Sequence, residues 1–168
     1  MKKLFYTGLI LAMISLATFS SCKKDDNNSG TLSKSWKIGN KTYKQALSMF
    51  QSDGGASILI AFTAMPSGMA TVDYFQVVFK TKPTENGTYK IVFKPDYSDL
   101  NADEVYVGAA QADGDMSAVA KGDDNKTATV TVKGGKVSVT IPKVNAYYGP
   151  TDDSLSGTTT LEGNIVEQ

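Results

Sequence analysis

The run TATVTVKGGKVSVTI, residues 127–141, decides the fold class. Ala128, Val130 and Val132 alternate with polar residues before Gly134-Gly135, and Val137, Val139 and Ile141 alternate after it. Side chains along a strand point to opposite faces with period two, so each apolar set occupies one face. A two-residue Gly-Gly turn then sets Val132 opposite Val137, Val130 opposite Val139 and Ala128 opposite Ile141, all on one side. Thr129, Thr131, Ser138 and Thr140 take the other. Hydrophobic pattern and turn chemistry agree on a single register, which is the requirement for a β-hairpin.

The same reading extends upstream. Trp36-Lys37-Ile38 and Lys41-Thr42-Tyr43 flank Gly39-Asn40 as a second, shorter hairpin. Tyr43 to Gln51 is expected to be one strand, with Lys44 to Gln51 the only stretch that also fits a helix, and Ser52-Asp53-Gly54-Gly55 turns the chain. Ser57 to Phe62 (SILIAF) is a short apolar run suited to burial on both faces. In Val72 to Lys80, Phe75, Val77 and Phe79 share a face. Tyr89, Ile91 and Phe93 are expected to alternate along one strand after the turn at Pro83 to Gly87. An acidic loop, Lys94 to Asp103, leads to Val105, Val107 and Ala109, and Met116 to Lys121 is a weak strand closed by Gly122 to Asn125.

Downstream, Pro142 is expected to end the hairpin's second strand, because proline cannot donate to a ladder. Tyr147 to Asp153 then reads as a loop, and Thr158 to Val166 closes the domain with Thr159, Leu161, Gly163 and Ile165 on one face. Roughly nine or ten short strands between turns predict an all-β domain. The expected form is an antiparallel β-sandwich of immunoglobulin-like type, with a small β-barrel as the alternative.

The body occupies residues 35–168, enough chain to bury a sizeable core as a single domain. Before it, residues 23–34 are charged and rich in Asn, Ser and Gly, without periodicity. Such a segment is a flexible tether, spanning at most about 40 Å when fully extended. The first 21 residues are of a third kind. Lys2 and Lys3 precede an almost unbroken apolar run from Leu4 to Phe19, then Ser20, Ser21 and the only cysteine, Cys22. A basic start, an apolar middle and small residues at a cleavage point make an export signal, on a run slightly short for a comfortable membrane span. One cysteine excludes an intrachain disulfide, so core packing must hold the fold.

All 17 basic residues are lysines, balanced by 17 acids, and histidine is absent. Without arginine's planar fork or a basic patch, nucleic acid is not an expected partner. Without histidine, the commonest general base and metal ligand is missing. No cofactor or metal site is expected.

Phe19-Ser20-Ser21-Cys22 resembles a lipobox, the site where lipoprotein signal peptidase cuts before a lipid-modified cysteine. On that resemblance Cys22 becomes the first residue and carries the acyl chains that hold the protein to a membrane; a signal that merely ends near a free cysteine is the alternative. Two or more chains anchor stably where one does not. Lys23, Lys24, Asp25 and Asp26 resemble the lysine-then-acid signal that sends lipoproteins of Bacteroidota to the outer face of the outer membrane. The same four residues also read as an ordinary solvated charge run. Together with the WKIGNK opening at Trp36 and the TTTLEGNI ending at Thr158, these features resemble the small surface lipoproteins of Bacteroidota, many of unassigned function. The resemblance implies a place and a fold class rather than an activity.

Candidate chemistry is sparse. A histidine triad is impossible, and an acylated Cys22 is no nucleophile. A glycosidase needs two facing carboxylates, and only Asp73, Glu104 and Glu162 lie in or beside strands. Asp99, Asn101 and Asp103 begin like a calcium loop, yet Glu104 and Ala110 replace the glycine and glutamate that an EF-hand requires. Tyr147, Tyr148 and Tyr97, with Trp36, are candidates for presenting aromatic faces to a sugar; the favoured reading is that Trp36 belongs in the core and the tyrosines seal a sheet end. Asp153-Ser154-Leu155 fits the Asp-Ser/Thr-apolar triplet that Bacteroidota glycosylate on exported proteins. The expectation is a non-enzymatic surface module that binds or displays loops to a glycan or an envelope protein. A structural or assembly subunit, and a small glycoside hydrolase, are the alternatives.

Overall fold

In the computed structural model, residues 34–64, 72–112, 116–150 and 155–168 are described. Cys22, Lys23, Lys24, Asp25, Asp26 and Ser154 lie outside them. Eleven strands make one sheet: β1 (Ser35–Ile38), β2 (Lys41–Lys44), β3 (Leu47–Asp53), β4 (Ala56–Phe62), β5 (Tyr74–Phe79), β6 (Gly87–Ile91), β7 (Glu104–Gln111), β8 (Met116–Ala120), β9 (Thr127–Lys133), β10 (Lys136–Pro150) and β11 (Gly157–Val166). Among the described residues the only helical element is a 3-10 turn, Tyr97–Asp99. The fold is all-β, with a sandwich- or barrel-like arrangement.

The β9–β10 hairpin pairs Val132 with Val137 and Val130 with Val139 across Gly134-Gly135, in the register the alternation dictates. Both turn glycines have positive φ, 60° and 77°, a region that glycine enters without a Cβ clash. The sheet runs β2-β1-β11-β10-β9-β6-β7-β5-β4-β3, and β8 bridges β7 to β10. It folds over on itself, so that Trp36 of β1 meets Phe75 of β5 with ring centroids 6.0 Å apart. Between the two halves lies the main core, built around Leu59, Phe79, Val107, Val139, Leu161 and Ile165.

The long strand β10 organises the middle of this sheet. Its first half pairs with β9 and its second half with β8, while β11 runs along its other edge. On β7, β8 likewise occupies one stretch of an edge and β6 another. The space between β7 and β10 is therefore bridged by β8 alone at one end and by β6 with β9 at the other. The seam between them is tight. Gly122 (φ 69°) sits where an added Cβ would stand 2.8 Å from the Val92 Cα, so the backbones can approach only through a glycine.

Several sequence expectations are corrected here. The sheet is mixed rather than wholly antiparallel, because β6 enters parallel to β7 over Lys90 and Ile91. Tyr43 to Gln51 is two strands, not one. The chain turns a corner at Gln45-Ala46, where the Gln45 amide pairs with the Val166 backbone as donor (2.7 Å) and acceptor (3.0 Å). Pro142 does not end its strand. It falls where the β10–β11 register shifts between Ile141 and Val144, and a bulge is one place where a strand tolerates a residue without N–H. Tyr147 to Pro150 are consequently strand, not loop. Finally, β6 stops at Ile91, and Phe93 lies beyond it, 40% exposed.

Candidate functional site

β4, β5 and β7 are apolar on both faces, and the face turned away from the main core carries a second cluster. Ile58, Ile60, Val78, Val92, Leu100 and Tyr106 belong to it. Within this outer face lies a groove of about 370 Å3, at the low end of small-molecule sites. Its floor follows from register. Gln76 on β5 pairs with Gly108 on β7, and Gly108 pairs with Val119 on β8, so the three form one row. Gly108 leaves the middle of that row empty. A Cβ there would stand 3.2 Å from Tyr106 Cε1 and 3.3 Å from Gln76 Nε2.

Tyrosines wall this floor. Tyr74 precedes Gln76 on the same face of β5, and Tyr106 precedes Gly108 on the same face of β7. Tyr97 leans over from the 3-10 turn, its ring centroid 5.2 Å from that of Tyr106 with planes at 57°. Gln76 Nε2 donates a 3.2 Å hydrogen bond to the Tyr97 hydroxyl. Ser117 and Leu155 complete the lining, and none of the lining residues carries a formal charge.

The turn that presents Tyr97 is held by charge-assisted bonds. Asp96 Oδ1 accepts the Ser98 N–H at 2.9 Å, Lys80 Nζ donates to the Ser98 carbonyl at 2.7 Å, and Lys94 Nζ donates to the Asp99 carbonyl at 2.9 Å. Lys94 also pairs with Glu104 at 2.5 Å, and Glu104 accepts the Asn101 N–H at 3.0 Å. The Lys94 bond, then the Asn101 N–H, hold the Glu104 carboxyl below its usual range. Hydrogen bonds from Ser98 do the same for Asp96. Leu100, 2% exposed, anchors the end of the turn in the outer cluster.

Burial pushes the phenols the other way. Tyr106, Tyr74 and Tyr97 are all raised, chiefly by desolvation; neighbouring phenols add to the shift of Tyr106 and Tyr74, while at Tyr97 the Gln76 hydrogen bond offsets part of it. At neutral pH the groove therefore offers neutral hydroxyls, a carboxamide and aromatic rings. Groups of this kind can hydrogen-bond and stack but carry no charge. A phenol with a raised pKa is a poor general base near pH 7.

Of the three tyrosines expected to share a site, Tyr97 lines the groove and the others do not. Tyr147 and Tyr148 are adjacent on β10 and so face opposite ways. Tyr148 points inward and donates to Gln111 Oε1 at 2.7 Å, while Gln111 Nε2 donates to the Tyr43 hydroxyl. Tyr147 lies on the outer face opposite Val119, packed edge-on against Phe93 with centroids 5.2 Å apart. Trp36 is fully buried in the main core.

The strand carboxylates are dispersed: Asp73 accepts the Ala112 N–H, Glu104 pairs with Lys94, and Glu162 pairs with Lys37. None of them lines the groove. Among the described residues no three acidic side chains gather as a metal-binding group. A second, more open hollow is lined by Trp36, Lys37, Thr140, Ile141, Glu162 and Asn164, with Lys37 and Glu162 paired at 2.8 Å.

Sequence reasoning missed Tyr74, Gln76, Tyr106 and Gly108. Their signal was present in the alternation opposite Phe75-Val77-Phe79 and Val105-Val107-Ala109, where aromatic and small or polar residues stand in for the expected solvated side chains. Comparison with family models, curated proteins and solved structures finds no match. The chemistry of the groove therefore carries the functional reading alone.

Proposed function

We propose that this chain is a surface-anchored bacterial lipoprotein, held to the outer membrane through Cys22, that acts as a non-enzymatic binding module for a glycan. The observation that carries the binding reading is the uncharged groove over Gly108, walled by Tyr74, Tyr97 and Tyr106. Aromatic rings stack on the C–H faces of a ring ligand, while the Gln76 amide and the phenol hydroxyls fix its orientation. The anchor reading rests on the lipobox-like Phe19-to-Cys22 and the charged Lys23-to-Asp26 that follow the apolar leader.

Two experiments test the parts separately. Cys22→Ala is expected to abolish acylation and release the protein from membranes or stall it as precursor; normal lipid labelling of that variant would remove the anchor reading. Nuclear magnetic resonance of the purified chain with a panel of small neutral ligands is expected to shift the Gly108 and Val119 amides. Shifts confined to other surfaces would remove the groove reading.

A second reading, an assembly subunit, draws on β3, whose seven-residue outer edge has no strand partner among the described residues and carries Met49 at 42% exposure. Concentration-dependent dimers abolished by a proline in β3 would favour it.

A further inference from the structure

Tyr147 and Phe93 stand outside the groove, yet they lie in line with its floor. Cross-strand partners point to the same face, so the pairs Gly108–Val119 and Val119–Tyr147 continue one row over β7, β8 and β10. At strand spacing, Tyr147 lies about 10 Å from Gly108 along that row. One end of the row is walled by Tyr97 and Tyr106, and the other is capped by a second aromatic pair, Tyr147 and Phe93.

Phe93 is held there by the seam of the fold. Gly122 packs against the backbone of Val92 and Phe93 just after β6 ends. The Phe93 ring is left 40% exposed, one of two large apolar side chains so exposed among the described residues. Lys121 Nζ lies 4.8 Å from the Tyr147 ring centroid, a cation–π contact at the shelf. A row with a glycine floor, one valine rib and an aromatic pair at each end suits an elongated ligand with flat, partly apolar repeats and many hydroxyls.

Resting on the groove reading above, we infer that the site takes a neutral oligosaccharide of two or more rings, one ring over Gly108 between the tyrosines and a later ring on the Phe93–Tyr147 shelf. An acidic ring fits poorly over Gly108, where no lining residue carries a charge; the one cation along the row, Lys121, stands at the shelf.

The test is calorimetric titration of the purified full chain with neutral gluco-, manno- and xylo-oligosaccharides of one to six rings, with oligogalacturonate as the acidic comparator. Affinity is expected to rise about tenfold or more between one ring and three, then level off. Phe93→Ala, a change at an exposed side chain, is expected to erase that gain while leaving the affinity for a single ring within about twofold. Tyr97→Ala is expected to weaken every length. A length gain that survives Phe93→Ala, or oligogalacturonate binding as tightly as the neutral chains, overturns this inference and leaves the groove reading standing. Absence of binding by the whole neutral series overturns the ligand class. Indifference of all lengths to Tyr97→Ala overturns the groove reading as well.

Discussion

Gly163 lies beneath Trp36: the two are cross-strand partners on β11 and β1, and a Cβ on Gly163 would stand 3.0 Å from the Trp36 Cβ and 3.3 Å from Phe75 Cζ. The missing side chain lets the indole lie flat, stacked on Tyr43 at 5.6 Å with planes 10° apart, while its edge reaches Phe75 across the core. The two halves of the folded sheet are joined at this point. Gly163→Ala is expected to destabilise the fold by about 1–3 kcal/mol through overpacking against side chains that have no room to yield. Trp36, the only tryptophan, supplies the fluorescence signal for the denaturant titration. An unchanged midpoint would mean that the joint is looser than the contact distances require.

The β9–β10 turn gives a second, purely conformational prediction. Nothing lies within 4 Å of a Cβ built on Gly134, so a side chain there meets no steric neighbour and only its φ of 60° matters. Gly134→Val is expected to cost on the order of 1–2 kcal/mol, since a β-branched residue resists the left-handed region. Gly134→Asn is expected to be nearly neutral, because asparagine tolerates positive φ. Thr131→Val, on the exposed face, is expected to change stability little. Equal behaviour of valine and asparagine in a denaturant titration would contradict the turn geometry.

This hairpin was the most legible part of the chain because every determinant of it is local: two-residue alternation, two glycines and a short loop. The neighbouring segment shows where that logic stops. Pro142 reads as a strand end, but the bulge between Ile141 and Val144 carries it, and that bulge depends on β11, which begins sixteen residues after Ile141. Misreading Pro142 in turn makes Tyr147 and Tyr148 look like loop residues sharing a site, when strand periodicity sets them on opposite faces. The Gln45-Ala46 corner was hidden for the same reason, being fixed by the Val166 backbone far along the chain. For the groove, the facing residues Tyr74, Gln76, Tyr106 and Gly108 were readable as two strand alternations. Which segment would cover them, the Tyr97 turn, was not.

The pH dependence follows from the direction of the shifts. For Tyr106, Tyr74 and Tyr97 the folded value is raised, so their contribution is fully present below pH about 10 and is lost as pH climbs through the folded values. For Glu104 and Asp96 the folded value is lowered, so their contribution is present above pH about 4 and is lost as pH falls through the folded values. Stability and groove affinity are therefore expected to be flat from about pH 5 to pH 9, with the Tyr97 turn loosening in acid and the groove opening in alkali. Denaturant midpoints and tyrosinate absorbance across that range are the readouts. A titration step near neutral pH would contradict the assignment, because no group in the groove ionises there.

The trio of buried Tyr43 and Gln111 with half-buried Tyr148 predicts a different cost. Gln111 is 9% exposed and Tyr43 4% exposed, and the one carboxamide donates to Tyr43 and accepts from Tyr148. Gln111→Leu is expected to destabilise by about 1–3 kcal/mol, because it leaves a buried phenol without its partner. Combining it with Tyr43→Phe is expected to recover part of that loss, as removing both partners spares the unsatisfied hydroxyl. Strict additivity of the two changes in thermal unfolding would contradict the network.

The most direct test of the groove is to fill its floor. Gly108→Val places a side chain in the gap between Tyr106 and Gln76; the Gln76 carboxamide is a flexible end that can move, whereas the Tyr106 ring is buried and must give by a few tenths of an ångström, so some stability is expected to be lost and the denaturant titration checks that the variant is folded. The measurement is the calorimetric affinity of that variant for the neutral oligosaccharide that the wild-type chain binds best. A loss of at least about tenfold is expected in a Gly108→Val protein that still unfolds cooperatively. Undiminished affinity in a folded Gly108→Val protein would show that the ligand seats elsewhere and would contradict the account.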